Sequence, residues 1–239
     1  MKIHWPSLGI GIAGVSIIIM VIFFTSGENI VKILPLGNGS QNTQNIDQNI
    51  TLEILTANSS PVFGSNDAPI TMIEFGDYQC FYCNKFFHNT EDNIVKNYVD
   101  TGKVKLIFKD FTIIGQDSVT AANAAHCAQE QGKFWEYHDI LYSNWSGENT
   151  GWVSTAHLLQ FAKQASLNEN QFSQCLTQKK YTQVVRGSVS DANTLGLMGT
   201  PDFFIISPDS SITKVVGAQP YEVFDEIFKS KLQWENSRL

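Results

Sequence analysis

The sequence predicts an α/β protein made of a strand–helix–strand unit, a long block of helices, and a closing pair of strands with a last helix. Three observations carry that expectation. The run Ile70-Thr-Met-Ile-Glu-Phe75 is rich in β-branched and aromatic residues, and Cys80-Phe81-Tyr82-Cys83 follows it at the start of a helix-spaced apolar pattern. Val104–Phe111 alternates in the manner of a second strand that returns to the same sheet. Between that strand and the next strand signals, residues 117–195 read as almost entirely helical.

Ile70–Phe75 is the first buried strand of the unit, and a further short strand is read earlier, at Thr51–Leu55. The helix that opens at Cys80 carries Phe86, Phe87, Ile94, Val95 and Tyr98 and runs to about Val99, where Thr101-Gly102 ends it. A strand, a helix and a strand in this order make a crossover unit, so the two strands are expected parallel. The helical block divides into Asp117–Gln131, Lys133–Ser143, Ser154–Ala165, Glu169–Gln178 and Tyr181–Leu195, with Ser154 as an N-cap and Gly132, Gly147 and Gly151 as punctuation. Asp202–Ile206 and Lys214–Val216 flank the turn Ser207-Pro-Asp-Ser-Ser211 and suit an antiparallel hairpin. Pro220–Leu232 closes the chain as an amphipathic helix with Val223, Phe224, Ile227 and Phe228 on one face. The order describes a thioredoxin-like core, residues 60–233, with a helical domain inserted at about 113–195.

The N-terminal part reads differently. Leu8 to Phe24 is a run of seventeen residues without a charge, and Trp5 to Thr25 as a helix spans about 30 Å, the thickness of a bilayer core. The run is longer than the apolar part of a cleavable leader, and Phe23-Phe24-Thr25-Ser26-Gly27 is a poor cleavage site. A transmembrane signal anchor at 8–25 is therefore expected, with residues 1–7 cytoplasmic and the remainder outside, since Lys2 and the α-amino group precede the span. Residues 26–59 include a polar, Asn/Gln-rich stretch without sustained periodicity and read as a flexible tether. The formal charge of −7 argues against nucleic acid as a partner.

Cys80 and Cys83 fall on one helical face, close enough to form a disulfide. The helix N-terminus offers unpaired N–H groups and a positive dipole end, which stabilise a thiolate. Together these are the requirements of a thiol that exchanges disulfides. Half of a zinc site and an inert structural disulfide are the alternatives. Zinc needs four ligands, and there is no second Cys-x-x-Cys and no close pairing among His4, His88, His126, His138 and His157, so no metal is expected. All four cysteines lie beyond the apolar segment, in keeping with an oxidising compartment. Cys127 and Cys175 fit no metal spacing; a structural disulfide between two helices of the insert is expected, with two buried thiols as the alternative.

The chain resembles the DsbA-type thiol:disulfide oxidoreductases, in their membrane-anchored, BdbD-like branch. The resemblance runs over about residues 60–231. It is carried by Gly64-x-x-x-Ala68-Pro69, Glu74-Phe75-x-Asp77-Tyr78-x-Cys80-x-x-Cys83, Ala122-x-x-Ala125-x-Cys127-Ala128, Gln131-Gly132-Lys133-Phe134-Trp135-x-Tyr137-His138, Gly196-x-x-Gly199-Thr200-Pro201-x-Phe203 and Gly217-Ala218-Gln219-Pro220-Tyr221. It implies that Cys80 is the exposed nucleophile and Cys83 the buried resolving thiol. It implies that Thr200-Pro201 forms a cis-proline loop that faces the two cysteines and pairs with an extended client chain. Glu74 and Lys109 match an acidic residue and a lysine that lie beneath the active site in relatives, where a buried carboxylate–ammonium pair takes a proton from Cys83; a surface pair at strand ends is the alternative. The implied activity is introduction of disulfides into reduced, exported proteins outside the membrane. It needs no cofactor, and a quinone-linked membrane partner re-oxidises the protein, which acts as a monomer. A disulfide reductase or isomerase, or a non-catalytic peptide-binding module, are the other readings. The pair Phe81-Tyr82 departs from the family's strong oxidants, which carry His as the second intervening residue, so the Cys80 thiolate depends here on the helix terminus and on contacts from elsewhere in the fold.

Overall fold

A computed structural model of the protein describes residues 31–33 and 52–236. Its centre is a five-stranded sheet of order β1-β5-β4-β2-β3. β2 (Ile70–Gly76) and β3 (Val104–Asp110) pair in parallel, with Glu74 opposite Phe108 and Phe75 opposite Lys109. β4 (Asp202–Ile206) runs antiparallel to β2, and β5 (Ile212–Val216) antiparallel to β4. β1 (Val31–Ile33) closes the far edge by pairing in parallel with β5.

Because side chains alternate across a strand, the sheet has two distinct faces. Met72, Leu106, Phe203 and Ile205 meet Phe86, Ile94, Phe224 and Phe228 of the helices on one side. Ile73, Phe75, Ile107 and Phe204 meet Leu55, Ala192 and Leu195 on the other. Burial of this apolar area is the main favourable term in holding the layers together.

The connection from β2 to β3 is one helical run: α2 (Phe81–Phe86), a π-wound turn Phe87–Glu91, α3 (Asp92–Ile94) and a second π-wound turn Val95–Val99. Each π turn accommodates an extra residue and so rotates the side chains that follow it. The insert then supplies α4 (Gln116–Gln129), α5 (Phe134–Ser143), α6 (Thr155–Gln164), α7 (Glu169–Thr177) and α8 (Thr182–Thr194). Ser154 and Asn168 cap α6 and α7 by accepting from the backbone N–H of His157 and Gln171. Cys127 of α4 and Cys175 of α7 are joined in a disulfide. α9 (Tyr221–Asn236) packs Phe224 and Phe228 on the sheet.

Two expectations change. Thr51–Leu55 is not a strand: Leu52–Thr56 forms α1, whose Leu55 is fully buried against β2 and β3. The stretch 26–59 is also not wholly a tether, because it contributes β1 and α1 to the folded domain, and Ser60 N–H bonds Phe108 O at 2.9 Å directly after it. The expected span at 8–25 lies outside the described residues. Among the described residues, no helix is long and apolar enough to cross a membrane.

Candidate active site

The site forms where β2 gives way to α2. Asp77, only 1% exposed, builds the turn between them. Its Oδ1 accepts from Gln79 N–H at 2.8 Å, and its Oδ2 accepts from Ile113 and Ile114 N–H at 2.9 and 3.0 Å. Burial raises the Asp77 carboxyl above its usual value, against those N–H bonds. The turn is also held by the insert. Gln79 O accepts from Trp145 Nε1 at 2.8 Å, Gln79 Oε1 accepts from Asn149 N–H at 2.9 Å, and Glu148 Oε1 accepts from Phe81 N–H at 3.0 Å. None of Gln79, Trp145, Glu148 or Asn149 stood out in the sequence as a site residue, because neither Gln79 nor the loop 144–151 carries a redox motif. Only the fold brings it to the turn.

Cys80 is the N-cap of α2, and its Sγ accepts from Cys83 N–H at 3.3 Å. The Cys80 thiol donates to Thr200 O at 3.4 Å, and the Thr200–Pro201 peptide is cis. The fold therefore brings Cys80, Cys83, Thr200 and Pro201 together from opposite ends of the chain. Both cysteines are free thiols. The expectation of an exposed Cys80 is corrected, since both cysteines are buried; they still differ in access and acidity, for Cys80 keeps 5% exposure and Cys83 none, so what access there is belongs to Cys80. The hydrogen bond from the Cys83 thiol lowers Cys80 to about 7; burial opposes this, while the Thr200 side chain and the N–H groups of Cys83 and Tyr82 reinforce it. Burial, then the Cys80 sulfur and the Glu74 charge, push Cys83 well above the usual thiol range. The thiolate at Cys80 thus has an explanation that needs no histidine: helix N–H groups and a neighbouring thiol do the stabilising. Phe81 and Tyr82 are 50% and 57% exposed, and Met198, two residues before Thr200, is 90% exposed. Apolar surface therefore flanks the Cys80 sulfur.

Glu74 lies beneath the dithiol, 7% exposed, with burial, Glu91 and the Cys80 sulfur all raising its carboxyl well above the ordinary range. Lys109 does not join it. Glu74 is opposite Phe108 and Lys109 is opposite Phe75, so their side chains leave the sheet on opposite faces. Lys109 is fully buried on the far side, donating to Asp191 Oδ2 at 2.7 Å, to Ile54 O at 2.8 Å and to Ala57 O. Three acceptors match the three N–H bonds of an ammonium. The expected Glu74–Lys109 pair is thereby corrected: Lys109 ties α1 and α8 to the sheet.

The thioredoxin family model with the description "Thioredoxin" matches residues 56–230. The chain belongs to the thioredoxin family. Within it, the chain is a DsbA-like thiol:disulfide oxidoreductase. It is 29% identical over 157 residues to a probable disulfide bond formation protein D of Bacillus anthracis, covering 64% of this chain and 72% of that one. Among solved structures it is similar to alpha-DsbA1 of Wolbachia pipientis, with a TM-score of 0.67 at 26% identity over 76% of this chain and 94% of that one. The oxidised BdbD of Bacillus subtilis shares the fold, with a TM-score of 0.66 at 24% identity over 73% and 93% of the two chains.

Proposed function

We propose that this oxidoreductase works outside the cytoplasm as a donor of disulfides to exported proteins. The observation that carries the reading is the asymmetry of the dithiol: a reachable Cys80 lowered to about 7 beside a buried Cys83 raised well above the usual range. A low thiolate cost at Cys80 stabilises the dithiol product, which favours passing the disulfide on to a client. In the cycle, a client thiolate attacks Cys80 of the oxidised pair and the Cys80–Cys83 bond breaks, with Cys83 leaving as thiolate and taking up a proton. A second client thiolate attacks the client sulfur of the mixed disulfide, and Cys80 leaves in turn. The client gains one disulfide and the enzyme becomes a dithiol. The exposed Phe81, Tyr82 and Met198 suit unfolded clients, and the Thr200–Pro201 loop suits backbone pairing with an extended chain.

In this reading residues 8–25 anchor the domain as a single pass, a quinone-linked membrane partner re-oxidises the dithiol, and the protein works as a monomer without metal or organic cofactor. The first test is the reduction potential of the Cys80–Cys83 pair, equilibrated in glutathione buffers and trapped by alkylation. A value near about −120 mV is expected of a disulfide donor; a value near about −270 mV would make the protein a reductant and overturn the proposal.

A further inference from the structure

Glu74 has a companion beneath the dithiol. Glu91, the last residue of the π-wound turn Phe87–Glu91, is 6% exposed. Both carboxylates line one cavity of about 10 Å³, walled by Phe86, Phe108 and Trp135, which has room for a single water molecule. Among the described residues, no hydrogen bond reaches either carboxylate, and neither pairs with a lysine or arginine. A third buried group is aimed at them. His138 is fully buried, its Nε2 has no hydrogen-bond partner, and that atom lies 3.9 Å from Glu91 Oε1. His138 Nδ1 is 3.0 Å from the Tyr78 hydroxyl. Burial keeps the Tyr78 phenol protonated and pulls His138 down to about 3. Giving the phenol hydrogen an acceptor makes Nδ1 the acceptor and leaves the ring hydrogen on Nε2, facing Glu91.

We propose that Glu74 and Glu91 act as one acid, sharing a proton across this cavity and exchanging a single proton with Cys83, with His138 holding Glu91 in place. The proposal rests on the reading of Cys80–Cys83 as an exchanging dithiol. Glu74 is the group adjacent to Cys83; Glu91 is a positioning residue that acts through it.

The charges around the pair decide which protonation states it visits. Facing Glu74 are Cys80, Cys83 and Tyr142. Facing Glu91 are Asp92, Asp139 and His138, and Tyr78 feels both carboxylates. Every one of these groups that ionises is negative, apart from a histidine held neutral. Two carboxylates so placed do not ionise together. The pair therefore alternates between a neutral form with two protons and a form with one proton and one negative charge. When Cys83 leaves the disulfide as thiolate, the neutral pair gives it one proton and keeps the other, shared. When the dithiol is re-oxidised, the singly charged pair takes the Cys83 proton, and the freed thiolate attacks the mixed disulfide at Cys80. Protons balance in both directions, and no dianion is formed.

The test uses the full chain labelled with 13C at its glutamate carboxyls. NMR titration of wild type, Glu91→Gln and Glu74→Gln reads the two groups without turnover. In wild type, the two carboxyls are expected to titrate in step, each with a biphasic curve. In Glu91→Gln, the Glu74 midpoint falls by about one pH unit or more as its negative neighbour is lost. An unmoved Glu74 midpoint, or independent single-step curves in wild type, would overturn the sharing; the wild-type curves decide even where a variant fails to fold. The second readout is the pH profile for reduction of the oxidised protein by a small thiol. Glu91→Gln is expected to shift its break to lower pH and slow the reaction about tenfold above it, whereas an unchanged profile counts against the proposal. Failure of the wild type to exchange disulfides while the carboxyls still titrate together would sink the oxidoreductase role and not the shared proton.

Discussion

Cys80 owes its acidity to what its sulfur touches, since its sequence neighbours Phe81 and Tyr82 carry no charge. The Cys83 thiol contributes most, and the backbone N–H of Cys83 at 3.3 Å also serves the thiolate. Alkylation of the reduced protein is therefore expected at Cys80 alone, with a rate that climbs as pH rises through about 7. Cys83 stays silent in the same range, which peptide mapping of the alkylated protein checks. The sequence disclosed the placement of both cysteines, because the strand pattern ending near Phe75 and the helical pattern after Cys80 put them at a strand-to-helix junction, where they stand. It did not disclose that Glu74 and Lys109 part company. That fact depends on a one-residue register between β2 and β3, which only the assembled sheet defines. Glu91 was hidden for a related reason: an unbroken α-helical period does not anticipate the π turn on which it sits.

Elements are joined by a few buried ionic ties, and each predicts a measurable response. Lys109 holds α1 and α8 to β3. Lys109→Met removes the cation beside Asp191, which keeps the Asn58 amide at 3.2 Å, and is expected to cost up to about 3 kcal/mol of stability, with the reduction potential unchanged; denaturant unfolding and redox equilibration separate the two. His126 of α4 meets Asp110 of β3 at 2.8 Å. Burial pulls the imidazole down, but the Asp110 carboxylate and the Gln129 hydrogen bond outweigh it and leave it above 6.5. A group raised on folding stabilises fully below its unfolded value, and that contribution is lost as pH rises through the folded one. Melting temperature is thus expected to decline above about pH 6.5, and His126→Asn to flatten that decline. Element boundaries in the helical block were legible almost to the residue, since Ser154, Gly132 and the apolar periodicity mark them. α1 was not, because the pattern Leu-Glu-Ile-Leu suits a short strand as well as a short helix, and its contacts with Lys109 and the sheet decide between them.

At the scale of the whole molecule, the protein carries two cysteine pairs in different states, one bonded and one of free thiols. Cys127–Cys175 closes a loop across 48 positions of the insert, at the heart of its apolar core. A double Cys127→Ala, Cys175→Ala variant is expected to lose about 4 kcal/mol of stability and to keep the potential of the Cys80–Cys83 pair. A potential that moves with this variant would mean that the insert's packing reaches the site. The architecture as a whole was readable from the order of its segments. The β2–β3 crossover, the helical insert and the β4–β5 hairpin all stand where the periodicity put them, and β1 alone arrives from a stretch whose composition favoured no structure.

The bond from Trp145 to the Gln79 carbonyl has an optical consequence. It seats an indole on the residue directly before Cys80, with the Phe81 ring 6.0 Å away. A disulfide quenches indole emission at close range, so the protein's own fluorescence is expected to brighten as Cys80–Cys83 is reduced, and Trp145→Phe to remove most of that change. The loop that clasps the redox turn would then serve as a built-in reporter, allowing each turnover to be followed in real time without a label.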